Sequence, residues 1–125
     1  MDDDRVKRFQ EERERLNEIV LEQGSLQTKR FFALDTKVYQ DGALPARTKE
    51  LLGLVGSLVL RCDDCVLYHL LRCRALGVGS AEVAEALDVG LVVGGSITIP
   101  HLRRAHEVWR RLDGDGGAGN DPEGT

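Results

Sequence analysis

The sequence predicts an all-α fold of about six helices arranged as a single array. Apolar residues recur at helical spacing in one segment after another, and glycine or proline punctuates the gaps between those segments. The exceptions are the β-branched runs Leu91-Val92-Val93 and Ile97-Thr98-Ile99, which suit short strands by composition but have no evident strand to pair with.

From Arg5 to Gln23 the residues Val6, Phe9, Leu16, Ile19 and Val20 make one stripe on a highly charged helix. Gly24 stops it, and Ser25 or Thr28 caps the next. That second helix carries Phe31, Phe32, Leu34, Val38 and Tyr39 and ends at Asp41-Gly42. Pro45 suits the first turn of a third helix, Ala46 to Leu60. After Glu50 this helix is apolar on almost every side, as expected of a central one, and Gly53 and Gly56 would allow close packing. Asp63 and Asp64 open a fourth helix to about Leu76, with Gly77 stopping it. Ser80 opens a fifth through about Val93, which Gly94-Gly95 break or kink. Pro100 starts a sixth to Leu112, with Leu102, Ala105, Val108, Trp109 and Leu112 inward. The expected organisation is one helical domain over residues 1–112 and a flexible Gly/Asp-rich tail over 113–125. In that tail, Gly116 to Asp121 match the start of a calcium-binding nonapeptide repeat, but one copy followed by Pro122 cannot build the stacked structure.

At 125 residues the chain is long enough for one hydrophobic core, and 42% apolar with 30% charged residues fits a soluble globular protein. A formal net charge of -4 argues against general nucleic-acid binding, which needs a basic face. No apolar run is long enough to span a membrane, and the acidic start Met1-Asp2-Asp3-Asp4 has no apolar signal core. The expected location is the cytoplasm. In that reducing compartment the three cysteines point to catalysis, redox chemistry or metal binding rather than to a structural disulfide framework.

The chemistry concentrates in Glu50, Cys62, Cys65 and His69. A Cys-x-x-Cys pair can close a small reversible disulfide. Cys62 and Cys65 fall at or just before the first turn of the fourth helix, where unpaired N–H groups and the helix dipole lower a thiol pKa. Asp63 and Asp64 oppose this if their carboxylates turn toward the sulfurs. His69 follows Cys65 by four residues and shares its face. In an antiparallel helix pair Glu50 stands about ten residues before the turn and His69 about seven after it, a mismatch of roughly 4.5 Å that two side chains can bridge. A carboxylate–imidazole–thiol relay is therefore geometrically reasonable.

The pattern Glu50-x11-Cys62-x2-Cys65-x3-His69 resembles the active-site signature of the alkylhydroperoxidase D-like branch of the carboxymuconolactone decarboxylase family. The similarity takes in the apolar helix before the cysteines, the Gly-bounded helix after them and the segment Gly94 to Leu102, so it covers roughly Phe31 to Leu112. The resemblance implies an all-helical fold, homo-oligomers (trimers or hexamers) and thiol-dependent reduction of a small hydroperoxide, with no cofactor. It also implies that Cys65 attacks the peroxide and passes through a sulfenic acid, that Cys62 resolves this to a disulfide, and that Glu50 and His69 carry protons. An external dithiol, lipoyl or thioredoxin-like, would reset the disulfide. One departure stands out: the best-known members of that branch carry a histidine just before the second cysteine, where this chain has Asp64. The decarboxylase members do not use a cysteine pair, which disfavours a lactone substrate.

Two other classes compete. Glu50, Cys62, Cys65 and His69 are residue types that suit zinc, although structural zinc sites usually draw on two separated ligand pairs. A non-catalytic oligomeric redox sensor, with the disulfide controlling assembly, is the other. Cys73 reads as a small buried hydrophobe. His101, beside the Gly94-Gly95 break, could approach the site from a neighbouring element; His106 lies too far round the helix to join it. Arg103, Arg104, Arg110 and Arg111 read as a solvated or interface face.

Overall fold

The computed structural model describes residues 3–114, and those residues form six α-helices with no strand among them. They fall into two compact units, one ending at Gln40 and the other beginning at Asp41. The sequence had suggested only one boundary, at Asp113, and from residue 115 the expected tail lies outside the described residues.

The first unit is a helical pair, α1 (Asp3–Gln23) and α2 (Leu26–Val38). Gly24 makes the turn: its N–H bonds the Val20 carbonyl at 2.7 Å, and a side-chain carbon there would lie 2.6 Å from that same oxygen. Ser25 is the N-cap of α2 and accepts from the Thr28 N–H at 3.5 Å. No residue of α2 is buried.

The second unit holds α3 (Ala46–Val59), α4 (Asp63–Ala75), α5 (Ser80–Gly94), a short 3-10 turn (Ser96–Thr98) and α6 (Ile99–Leu112). α3 packs against both α4 and α5, and α6 closes over α4 and α5. The apolar α3 is thus central, as its all-round hydrophobicity required, with Leu54 and Leu58 fully buried. Leu70, Cys73, Val83, Leu87, Ala105, Val108 and Leu112 complete the core. Of Gly53 and Gly56, both expected to permit close packing, Gly56 does not, and a close approach is found on α5. A side-chain carbon at Gly56 would meet open space, whereas one at Gly90 would come within 2.8 Å of Leu58 Cδ2.

Helix starts are secured from both near and far in sequence. Asp41 Oδ1 accepts the Ala46 N–H at 2.7 Å, placing Pro45 just outside α3 as its N-cap. Glu82 Oε1 accepts the Gly79 N–H at 3.0 Å and an Arg47 N–H at 2.7 Å, tying α5 to α3. Ser80 does not act as a cap. Its hydroxyl accepts from Trp109 Nε1 at 2.9 Å and so satisfies the buried indole. Ile97-Thr98-Ile99 is not a strand. Gly95, at φ 84°, reverses the chain, and the buried Thr98 hydroxyl donates to the Gly95 carbonyl at 2.9 Å.

The turns after α3 and α4 share one hydrogen-bond pattern. After α4, Gly77 N–H bonds the Arg74 carbonyl at 3.1 Å and Val78 N–H the Cys73 carbonyl at 3.0 Å. After α3, Arg61 N–H bonds the Leu58 carbonyl at 2.9 Å and Cys62 N–H the Ser57 carbonyl at 3.0 Å. This is the Schellman ending, which needs a left-handed residue at its centre. Gly77 supplies it at φ 76°, but the other turn uses Arg61 at φ 61°, where a side chain is strained. Replacing Arg61 with Gly should raise unfolding stability by about 0.5–1 kcal/mol, the relieved strain less the extra chain entropy of glycine. Denaturant unfolding would check this; a loss of stability would mean that the Arg61 side chain makes a compensating contact.

Candidate functional site

The α3–α4 turn delivers Cys62 to the N-cap position of α4, and its sulfur accepts the Cys65 N–H at 3.2 Å. Cys62 and Cys65 are joined in a disulfide, with Cα atoms 5.3 Å apart. Cys65 is exposed and Cys62 half-buried. The bond therefore lies at the positive end of a helix, where a sulfur that becomes a thiolate is stabilised by free N–H groups.

Behind it sits a buried polar pair. Glu50, 2% exposed on α3, meets His69, 8% exposed on α4, at 2.8 Å between Oε1 and Nδ1. The carboxylate accepts and Nδ1–H donates, which leaves Nε2 as the ring's other working nitrogen. The second Glu50 oxygen has a long 3.5 Å contact from Arg72 Nε. The Tyr68 ring packs edge-on to the imidazole at 5.1 Å. The roughly 4.5 Å register mismatch anticipated along the helices is absorbed by the two side chains. Cys65 stands one helical turn before His69 on the same face.

The four candidate residues thus form two couples on the α3–α4 pair: sulfur with sulfur at the start of α4, and carboxylate with imidazole further along the two helices. Among the described residues no group of three or more His, Cys, Asp or Glu side chains converges as a metal site. Glu50 is turned into Nδ1 and the sulfurs are bonded to each other, which gives the zinc reading no ligand cluster.

A third group adjoins the cysteines; the sequence had offered His101 for it, but not Asp63 and Arg104. Asp63 turns away toward α6, where Oδ1 lies 2.7 Å from His101 Nδ1 and Oδ2 accepts from Arg104 Nε at 2.8 Å. Partial burial raises the Asp63 pKa, but these two partners outweigh it and hold the carboxyl below the usual aspartate range. Arg104 is therefore engaged rather than part of an idle basic face. The contacts join residues 38 and 41 positions apart, a separation that no periodicity reveals.

Cys73 is fully buried, two turns beyond Cys65. Burial first, and the Glu50 charge second, push its thiol up to about 12.

A helical scaffold carrying a closed dithiol at a helix N-terminus defines a protein suited to a redox role. The chain belongs to the carboxymuconolactone decarboxylase family, whose model matches residues 26–107. A protein in the cox locus of Paracoccus denitrificans, of uncharacterised function, is 31% identical over 84 residues, covering 67% of this chain and 76% of that one. Two crystal structures from Thermotoga maritima are similar throughout. One is 57% identical, covers 90% of this chain and 99% of its own, and superposes with a TM-score of 0.87. The other is 54% identical, with coverage of 91% and 97% and a TM-score of 0.84. It is described as a carboxymuconolactone decarboxylase family protein with a suggested involvement in antioxidative response. A family member from Legionella pneumophila, 24% identical with a TM-score of 0.75 over 87% of this chain and 97% of its own, shares the fold.

Alkylation of the reduced, folded protein near pH 8 should label Cys62 and Cys65 and spare Cys73, whose thiolate fraction there is about one in ten thousand for a pKa of about 12. Site-resolved mass spectrometry reads this directly. Labelling of Cys73 at the rate of the other two would show that α4 opens.

Proposed function

We propose that this protein is a thiol-dependent, peroxidase-like oxidoreductase that reduces a small hydroperoxide. The observation that carries this reading is the Cys62–Cys65 disulfide at the start of α4, with the Glu50–His69 pair one turn further along. In the reduced form the Cys65 thiolate attacks the terminal oxygen of the hydroperoxide. The O–O bond breaks, Cys65 becomes a sulfenic acid, and the departing alkoxide takes a proton relayed by His69. Cys62 then displaces hydroxide from the sulfenic sulfur; with a proton this leaves as water and the disulfide closes. Glu50 holds the imidazole by its Nδ1–H and so fixes the orientation of the ring that carries the proton. An external dithiol, lipoyl or thioredoxin-like, returns the two electrons. The exposure of Cys65 supports this division of roles, because both peroxide and reductant must reach a sulfur.

Turnover of a hydroperoxide with a dithiol reductant should vanish in Cys65→Ser. In Glu50→Gln it should fall by about 10²–10⁴-fold if the relay sets the proton step. Equal turnover in wild type and Cys65→Ser would eliminate the proposed nucleophile.

The same reading includes a homo-oligomer, a trimer or hexamer. It is supported by the apolar surface of α5 and the turn after it, where Val92 is 82% exposed with Val89, Val93 and Ile97 beside it. Sedimentation equilibrium should give a multiple of the 13.8 kDa chain mass, reduced in Val92→Glu. A monomer in the wild type would discard this part.

A further inference from the structure

We propose that His101 and Arg104 of α6 act as positioning residues which neutralise Asp63, so that its carboxylate does not oppose a thiolate at the Cys62–Cys65 pair. This deepens the dithiol reading of the same site.

Asp63 is the first residue of α4, directly after the capping Cys62 and in the same turn as Cys65. That turn offers one positive helix end, and the Cys65 N–H already points at the Cys62 sulfur at 3.2 Å. A carboxylate beside it competes for the same field, since a first-turn negative charge disfavours a second one. The structure turns Asp63 outward and occupies both of its oxygens from α6, at 2.7 and 2.8 Å. At 2.7 Å from a carboxylate, His101 Nδ1 must carry the proton. With Nδ1 donating to Asp63, the 3.2 Å approach of an Arg104 amino nitrogen to that same Nδ1 is a contact between two donors rather than a hydrogen bond. The exposed Asp64 is left to solvent screening.

The other charged groups on the neighbouring elements are few. On the α3 side they are Arg61 in the turn and Glu50, which is committed to His69. Arg47 and Lys49 lie in the first turn of α3, at its far end from Cys62. On α6, Arg103 is exposed, while His106, Glu107, Arg110 and Arg111 follow further along the helix.

The two halves of this clamp carry opposite charge, which gives the test its sign. If it serves only to tie α4 to α6, breaking it from either side should have the same effect. If it acts on the thiols through charge, Asp63→Asn should raise the thiolate fraction of the reduced pair near neutral pH by about two- to fivefold. Arg104→Gln should lower it by a similar factor. The double variant should return close to wild type, and Arg104→Lys should stay there. Thiolate absorbance and the pH profile of iodoacetamide reactivity read this on the reduced full-length protein. Shifts of the same sign in Asp63→Asn and Arg104→Gln, or no shift in either, would overturn the proposal even if both lowered the melting temperature. No peroxide enters the measurement, so a protein without peroxidase activity can still pass, and an active one can still fail.

Discussion

Glu50 and His69 lock α3 to α4. Each side chain is taken almost completely out of water, a step that costs several kcal/mol for a charged or strongly polar group unless a partner replaces the lost solvent. The two replace it for each other at 2.8 Å. One comes from the apolar central helix and the other from the helix of the cysteines, so sliding or rotating either would leave a buried carboxylate without its imidazole partner. The register of the helix pair follows, and with it the length of the connection, which has room for little more than Leu60, Arg61 and Cys62.

That short connection is where scaffold becomes chemistry. The backbone leaves α3 through a left-handed Arg61 and enters α4 at a cysteine whose sulfur takes the place of the usual capping oxygen. Serine or aspartate would cap more strongly, but neither can exchange electrons. The Asp63 contacts to α6 secure the same corner from the opposite side. The dithiol therefore rests on two partners, α3 through a buried pair and α6 through an exposed one.

Much of this was legible in the residues. The spacing of Glu50, Cys62, Cys65 and His69 is local to one helical hairpin, and a rise-per-residue argument suffices to bring the members together. The all-round hydrophobicity of Leu51 to Val59 announced the central helix in the same way. What escaped was long-range or decided by packing. Asp63 meets His101 and Arg104 through the fold of α6 over α4, and Ser80, which opens α5 as expected, also accepts from the Trp109 indole. The β-branched Ile97-Thr98-Ile99 is helical, as its lack of a partner strand indicated; what β-propensity could not show is that Gly95 first reverses the chain there. Of the two glycines expected to allow a close helix approach, Gly53 and Gly56, the second faces open space and a tight contact falls at Gly90 of α5, because composition cannot say which face a neighbour will press on.

The burial of Cys73 has a combinatorial consequence. Three thiols can pair in three ways, and a chain free to sample all of them would accumulate misbridged forms whenever it was oxidised. Here the third sulfur is sealed into the core, about two turns or roughly 12 Å along the helix from Cys65, beyond disulfide reach. Within the folded chain, Cys62–Cys65 is therefore the bond the geometry permits, and the third thiol cannot divert it.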